Sequence, residues 1–114
     1  MSTSILPIEI QASQLAKLMA DQAPVFLLDC REEYEYQIAR IVPSELIPMN
    51  TIPSSLNRIE ALAEGKQLIV YCHHGVRSLN TVVWLRRQGL ENAVSLTGGI
   101  ERWSMEIDAK VPRY

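Results

Sequence analysis

Residues 72–77 read Cys-His-His-Gly-Val-Arg: a thiol, two imidazoles, a glycine and a guanidinium on six consecutive positions. The apolar run "KQLIVY" precedes them, and "RSLNTVVWLRRQG", with apolar residues at helical spacing, follows. The order is strand, loop, helix, with the helix expected to begin near Ser78. The first N–H groups of a helix have no internal partners, and the helix dipole adds positive potential at that end. A loop curled over such a terminus is a cradle of N–H donors for an anion. Gly75 supplies backbone freedom there, and Arg77 adds fixed charge or braces the loop. A thiol at the start of the loop sets its sulfur in the mouth of the cradle. That favours thiolate over thiol and lowers the Cys72 pKa below the free-cysteine value. The expected product is a nucleophile ready at neutral pH. The competing reading, an inert strand-end cysteine, needs none of this company.

Arg77 lies five positions after Cys72, a C-x4-R spacing. Cysteine phosphatases carry C-x5-R loops, wide enough to ring a phosphate. One residue fewer makes a tighter cradle, suited to a smaller anionic terminus such as the outer sulfur of a persulfide. The two histidines, His73 and His74, are expected to tune the field and width of the mouth, with direct proton transfer as the alternative. A zinc site would need more ligands, and the chain offers only Cys30 and scattered carboxylates, so no metal is expected.

Elements must bring these residues together. "PIEI" is a candidate short strand. "SQLAKLMADQ" is a candidate helix with Ser13 as N-cap and Leu15, Leu18 and Met19 on one face. "PVFLLD" is a continuous apolar run of the kind buried parallel strands show. "REEYEYQIA" is a short charged helix, and "ELIPMN" an edge strand, because Pro48 cannot donate to a central ladder. "IPSSLNRIEALAEG" forms a helix stopped by Gly65. "NAVSLTGG" is a strand ending in Gly98 and Gly99, which let the chain turn tightly, and "IERWSMEI" is a last helix with Trp103 in the core. In the helix after the loop, Leu79, Val82, Val83 and Leu85 are to be buried, and Gly89 ends it. Strands alternating with helices predict an α/β fold, a parallel sheet covered on both faces. Function then sits at the carboxyl ends of the strands. Asp29-Cys30-Arg31, Cys72 to Arg77, and Thr97-Gly98-Gly99 should share that end. Asp29 and Arg31 are expected to form an ion pair that fixes the local backbone rather than to bind substrate. Cys30 is expected to be a small buried residue, with a resolving thiol as the sharper alternative.

The bulk numbers bound the rest. The chain has 114 residues, 47% hydrophobic and 21% charged, which fits one compact domain, with a core over about residues 8–107 and a loosely specified tail, 108–114. The first few residues also look loosely specified. A net charge of −2 argues against nucleic-acid or anionic-membrane partners. Two cysteines, not in C-x-x-C spacing, make no disulfide scaffold. The start "MSTSILPIEI" lacks the basic and long apolar regions of a signal peptide, and no run reaches membrane-spanning length. A reducing, cytoplasmic setting is expected, where both cysteines are thiols.

Four segments together resemble the rhodanese-like sulfurtransferases. "CHHGVRS" resembles their active-site loop. "LLDCREEYEY" resembles the Asp-x-Arg-Glu…Glu-Tyr segment after the second strand. "ARIVPSELIPM" resembles the stretch that usually reads Gly-His-Ile-Pro-Gly-Ala…Ile-Pro, and "LTGGIERW" the Leu-x-Gly-Gly-x-x-x-Trp ending. The tail "VPRY" is also similar to that of single-domain members. The resemblance runs from about Ile8 to Tyr114. It implies a five-stranded parallel sheet and a Cys72 that takes sulfane sulfur from a donor such as thiosulfate or a protein persulfide and passes it to a thiol or protein acceptor. It calls for no cofactor. It further implies that the backbone amides of His73, His74, Gly75, Val76, Arg77 and Ser78 hold the persulfide. The chain departs at Ala39 and Arg40, where the family carries glycine and histidine, at Val42, which is inserted, and at Pro43-Ser44-Glu45. It departs again at His73, where many members carry arginine, so attraction for a dianion such as thiosulfate should be weaker. Two readings compete with a sulfurtransferase: a sulfur-carrier or partner-docking module with little free activity, and a small cysteine phosphatase or arsenate reductase.

Overall fold

The computed structural model describes residues 7–114; the expectation for the first few residues lies mostly outside them. The chain runs β1 (Glu9–Ile10), α1 (Ala12–Ala20), β2 (Val25–Asp29), α2 (Glu33–Ile38), β3 (Glu45–Leu46), two 3-10 turns (Met49–Thr51 and Pro53–Ser55), α3 (Leu56–Ala63), β4 (Gln67–Tyr71), α4 (Val76–Arg87), β5 (Val94–Leu96) and α5 (Gly99–Glu106). The five strands form one sheet in the order β1-β5-β4-β2-β3, and every pairing is parallel. The two long apolar runs, β2 and β4, pair along their length at the middle of the sheet, from Val25 opposite Gln67 to Asp29 opposite Tyr71. The short, more polar strands take the edges, where fewer backbone groups need partners.

Side chains alternate across the two faces, as a period of two requires. Leu28, Cys30, Leu68, Val70 and Cys72 enter one core with Ile59 and Ala63 of α3 and Val82 and Leu85 of α4. Leu27, Ile69 and Tyr71 enter the other with Ala12 and Leu15 of α1 and Ile100 and Trp103 of α5. Leu79 and Val83 are only partly buried, because the stripe of α4 that meets the sheet is narrower than its apolar content suggests.

The helix starts differ from expectation. Gln11, not Ser13, caps α1, and the Gln14 side chain closes back on the Gln11 N–H at 2.8 Å. Two 3-10 turns precede α3, so that helix begins only at Leu56. The tail is not loose: Val111 is buried, its carbonyl accepts from the Ser104 hydroxyl at 2.5 Å, and Arg113 bonds Glu101. The divergent segment 39–44 is pinned to β4. The Ile41 N–H donates to the Tyr71 hydroxyl at 3.2 Å, and Ser44 Oγ lies 3.1 Å from the same oxygen. No helix among the described residues is long and apolar enough to cross a membrane.

Candidate active site

Cys72 follows the last residue of β4, and α4 begins four positions later. Gly75 is the N-cap of α4 with φ +109°, a conformation that a side chain would strain. The first intrahelical bond runs from the Leu79 N–H to the Gly75 carbonyl. The helix therefore starts at Val76 rather than near Ser78, and the N–H groups of 76, 77 and 78 precede its ladder. Two amides converge on the thiol sulfur: the Gly75 N–H at 3.1 Å and the Ser78 N–H at 3.3 Å. Ser78 Oγ stands 3.4 Å from Cys72 Sγ and 2.7 Å from Ser95 Oγ. With Ser95 donating to Ser78, the Ser78 hydrogen can turn to a thiolate.

Cys72 is 1% exposed, so burial alone would hold its thiol neutral. The neighbouring Cys30 thiol, then the Ser78 hydroxyl and the Ser78 and Gly75 amides, outweigh that burial and bring its pKa down to about 5. Cys30 moves the other way: the Cys72 sulfur beside it, burial and Asp29 all keep it a neutral thiol. The thiolate expected of Cys72 thus has a structural cause, and it includes a donor that the loop sequence does not contain.

Arg77 does not face an open mouth. Its two terminal nitrogens donate to the two carboxylate oxygens of Glu35 at 2.7 and 2.9 Å. A cation in the first turn of a helix needs an anion to meet, and Glu35, 42 positions upstream, is that anion. The Tyr114 hydroxyl also donates to Glu35, at 2.8 Å, and accepts from Arg31 at 2.6 Å. Arg31 in turn donates to both oxygens of Asp29 and to the Ala39 carbonyl. Arg31 and Asp29 are both 0% exposed, the expected ion pair. The chain Asp29–Arg31–Tyr114–Glu35–Arg77 thus ties the end of β2, Tyr114, α2 and the Cys72 loop into one network.

Arg77 and its partners draw the Glu35 carboxyl from its ordinary 4.5 down to about 2, against burial. Because the folded value is the lower one, this contact stabilises fully above the ordinary carboxylate range and is lost as pH falls through about 2. The expected result is a loss of urea midpoint between pH 4.5 and 2 that is shallower in a Glu35→Gln protein.

The third strand end closes the site. The N-terminus of α5 covers the carbonyls after β4: the Ile100 N–H donates to the Cys72 oxygen at 2.9 Å and the Glu101 N–H to the His73 oxygen at 3.1 Å. Gly99 has φ +60°, and a Cβ there would press on both carbonyls, coming within 2.5 Å of the Cys72 oxygen. A Gly99→Ala protein is expected to lose about 1–3 kcal/mol of stability, since strain and overpacking act together, and to show slower Cys72 alkylation as the loop shifts. Denaturant melts and thiol-reaction rates check both.

His73 stacks on the Tyr114 ring and on His74, each at a centroid distance of 3.9 Å. Its Nε2 is buried without a partner, and burial, followed by His74, pushes its pKa below the usual histidine range. His73 is therefore neutral at physiological pH and adds no fixed charge for a dianion. The carboxylates are less scattered than the sequence suggests, because Glu101 lies with both imidazoles: one ligand atom from each falls within 4.8 Å of the others. Glu101 is already bonded by Arg113, and the two rings stack 21° from parallel.

The candidate site residues singled out from the sequence lie at or follow the carboxyl ends of β2, β4 and β5, which share one end of the parallel sheet. Glu35, Ser95 and Tyr114 escaped that reading. Ser95 left a signal of its own, a lone hydroxyl inside the apolar strand "AVSL", whereas Glu35 and Tyr114 lie in the segments "LLDCREEYEY" and "VPRY" that carry the resemblance without being singled out there.

The family model described as rhodanese-like domain matches residues 11–106. An adenylyltransferase and sulfurtransferase of Zea mays is 35% identical over 99% of this chain, which spans only 25% of that protein's length. A sulfurtransferase of Allochromatium vinosum is 30% identical over 84% of this chain and 87% of its own. Among solved structures, a rhodanese-related protein from Thermoplasma volcanium superposes with a TM-score of 0.76 at 31% identity, covering 87% of this chain and 92% of that one.

Proposed function

The chain belongs to the rhodanese-like domain family, and from that membership we propose that it is a sulfurtransferase working through a persulfide on Cys72. One observation carries the proposal: the Cys72 sulfur sits at a helix N-terminus with the Gly75 and Ser78 amides aimed at it. The thiolate attacks the outer sulfur of a donor, thiosulfate or a protein persulfide. The S–S bond of the donor breaks and sulfite or a thiolate leaves. Cys72 then carries S–S⁻, and the amides from His73 to Ser78 form the cradle that holds the outer sulfur. A thiol or protein acceptor attacks that outer sulfur, the new S–S bond breaks, and the Cys72 thiolate is restored.

Asp29 and Arg31 act at a distance from the sulfur, by fixing Tyr114 and Glu35 and through them Arg77. Both terminal nitrogens of Arg77 are occupied by Glu35, which leaves no free fork for a phosphate and speaks against phosphatase or arsenate reductase chemistry. The neutral His73 favours a protein persulfide over a free dianion as donor. That brings in the carrier reading, consistent with the sulfurtransferase of Zea mays in which the matching stretch is a quarter of the length. A reducing, cytoplasmic compartment suits a site that works as a free thiolate.

Loading Cys72 from thiosulfate and, separately, from a persulfidated cysteine desulfurase tests the proposal. Persulfide formation is expected from both, faster from the protein donor. Turnover of a phosphate ester with no persulfide from either donor would refute it.

A further inference from the structure

The register of the central strands says more than the loop does. Asp29 stands opposite Tyr71, and the Cys30 N–H bonds the Tyr71 carbonyl at 3.1 Å. The next pair in the same register is Cys30 and Cys72. Both side chains enter the same core and both are free thiols, 0% and 1% exposed. The two cysteines of the chain are thus cross-strand neighbours at the carboxyl end of the sheet, both shut off from solvent. We propose that Cys30 is a positioning residue of this site: a neutral thiol under Cys72 that donates its S–H to the Cys72 sulfur whenever that sulfur carries charge.

The surroundings favour donation over the other uses of a second cysteine. Asp29, held by Arg31, lies on the sequence side of Cys30 and disfavours a thiolate there. Thr81 of α4 is the other polar group beside Cys30, and its hydroxyl hydrogen is given to the Arg77 carbonyl at 2.9 Å. A charged sulfur is a stronger acceptor than that neutral oxygen, so the S–H turns to Cys72. The remaining charged or titratable groups around the site are Arg77, neutralised by Glu35, and His73, His74 and Glu101 on the loop and α5. None of them can replace a donor inside the core.

The role rests on the persulfide reading and deepens it. In loading, the donor keeps Cys72 a thiolate under acidic conditions. In discharge, the Cys72 thiolate is the leaving group, and a leaving thiol of lower pKa departs faster. Cys30 itself is neither oxidised nor bonded to sulfur at any step.

The test compares the wild type with Cys30→Ala and Cys30→Ser. Iodoacetamide alkylation of Cys72 is followed by intact mass from pH 4 to 9, and single-turnover discharge of preloaded persulfide to a thiol is timed at pH 7. Circular dichroism melts confirm that each variant is folded, and the serine protein, which keeps a donor, guards against a packing defect in the alanine one. Cys30→Ala is expected to shift the alkylation midpoint upward by at least one pH unit, about fivefold slower at pH 5, and to slow discharge, with serine restoring part of both. Unchanged midpoints in both variants would overturn the proposal. So would a product from preloaded wild type that is lighter by two hydrogens than the reduced protein, with hydrosulfide released, because that is a resolving thiol and not a donor. The alkylation profile needs no sulfur donor, so it reads the role of Cys30 even if no persulfide forms.

Discussion

A Cys72→Ser protein is expected to fold normally and to lose sulfur transfer to background, a fall of at least about 10³-fold in kcat/KM, as removal of a nucleophile does elsewhere. Serine fits the space and can accept the same Gly75 and Ser78 amides. Its hydroxyl, however, is not ionised at neutral pH and forms no persulfide. The wild type should show an acidic limb in its loading rate near the Cys72 pKa of about 5, well below that of an ordinary thiol. The sign follows from the nucleophile: thiolate accumulates as pH rises through that value, so loading climbs and then levels. A limb near 8.5 instead would mean that the amides and the neighbouring thiol do not act on the sulfur.

An Asp29→Ala protein is expected to lose about 3–5 kcal/mol, because it leaves the Arg31 guanidinium buried without its anion. Neither group is exposed, and Asp29 accepts from the Arg31 backbone N–H as well as from its side chain. A loss of that size is a large part of the stability of a small domain, so expression at low temperature and urea unfolding are the practical readouts. The damage should not stay local. Arg31 holds the Tyr114 hydroxyl, and Tyr114 holds Glu35, so the brace on Arg77 weakens with it. Removing both charges, as in an Asp29→Leu, Arg31→Met double variant, should recover part of the stability without restoring the Tyr114 contact. A single Asp29→Ala change that costs less than about 1 kcal/mol would contradict the account of this pair.

Much of this was legible in the sequence because the signals were local. The runs "VFLLD" and "LIVY" are apolar without interruption, and only two central parallel strands need that. The Cys72 loop carried its own chemistry within six positions. Arg77 was half legible. That it must meet an anion followed from its place in the helix, but the anion, Glu35, sits between other acidic residues in "REEYEY", and nothing local separates it from Glu32 or Glu33. Tyr114 was half legible: the ending "VPRY" resembled that of single-domain members, but a tail with no periodicity gives no sign of where it packs, and its contacts are long-range. Cys30 was visible only as a small residue at a strand end. Its meaning needed the β2–β4 register, which pattern reading does not supply.

The most direct test of the central claim is the intact mass of the reduced protein after incubation with thiosulfate or a protein persulfide, beside the Cys72→Ser variant. The account predicts a gain of about one sulfur atom on the wild type alone, removed by cyanide or dithiothreitol. An unchanged mass with both donors, or the same gain in the variant, would contradict it.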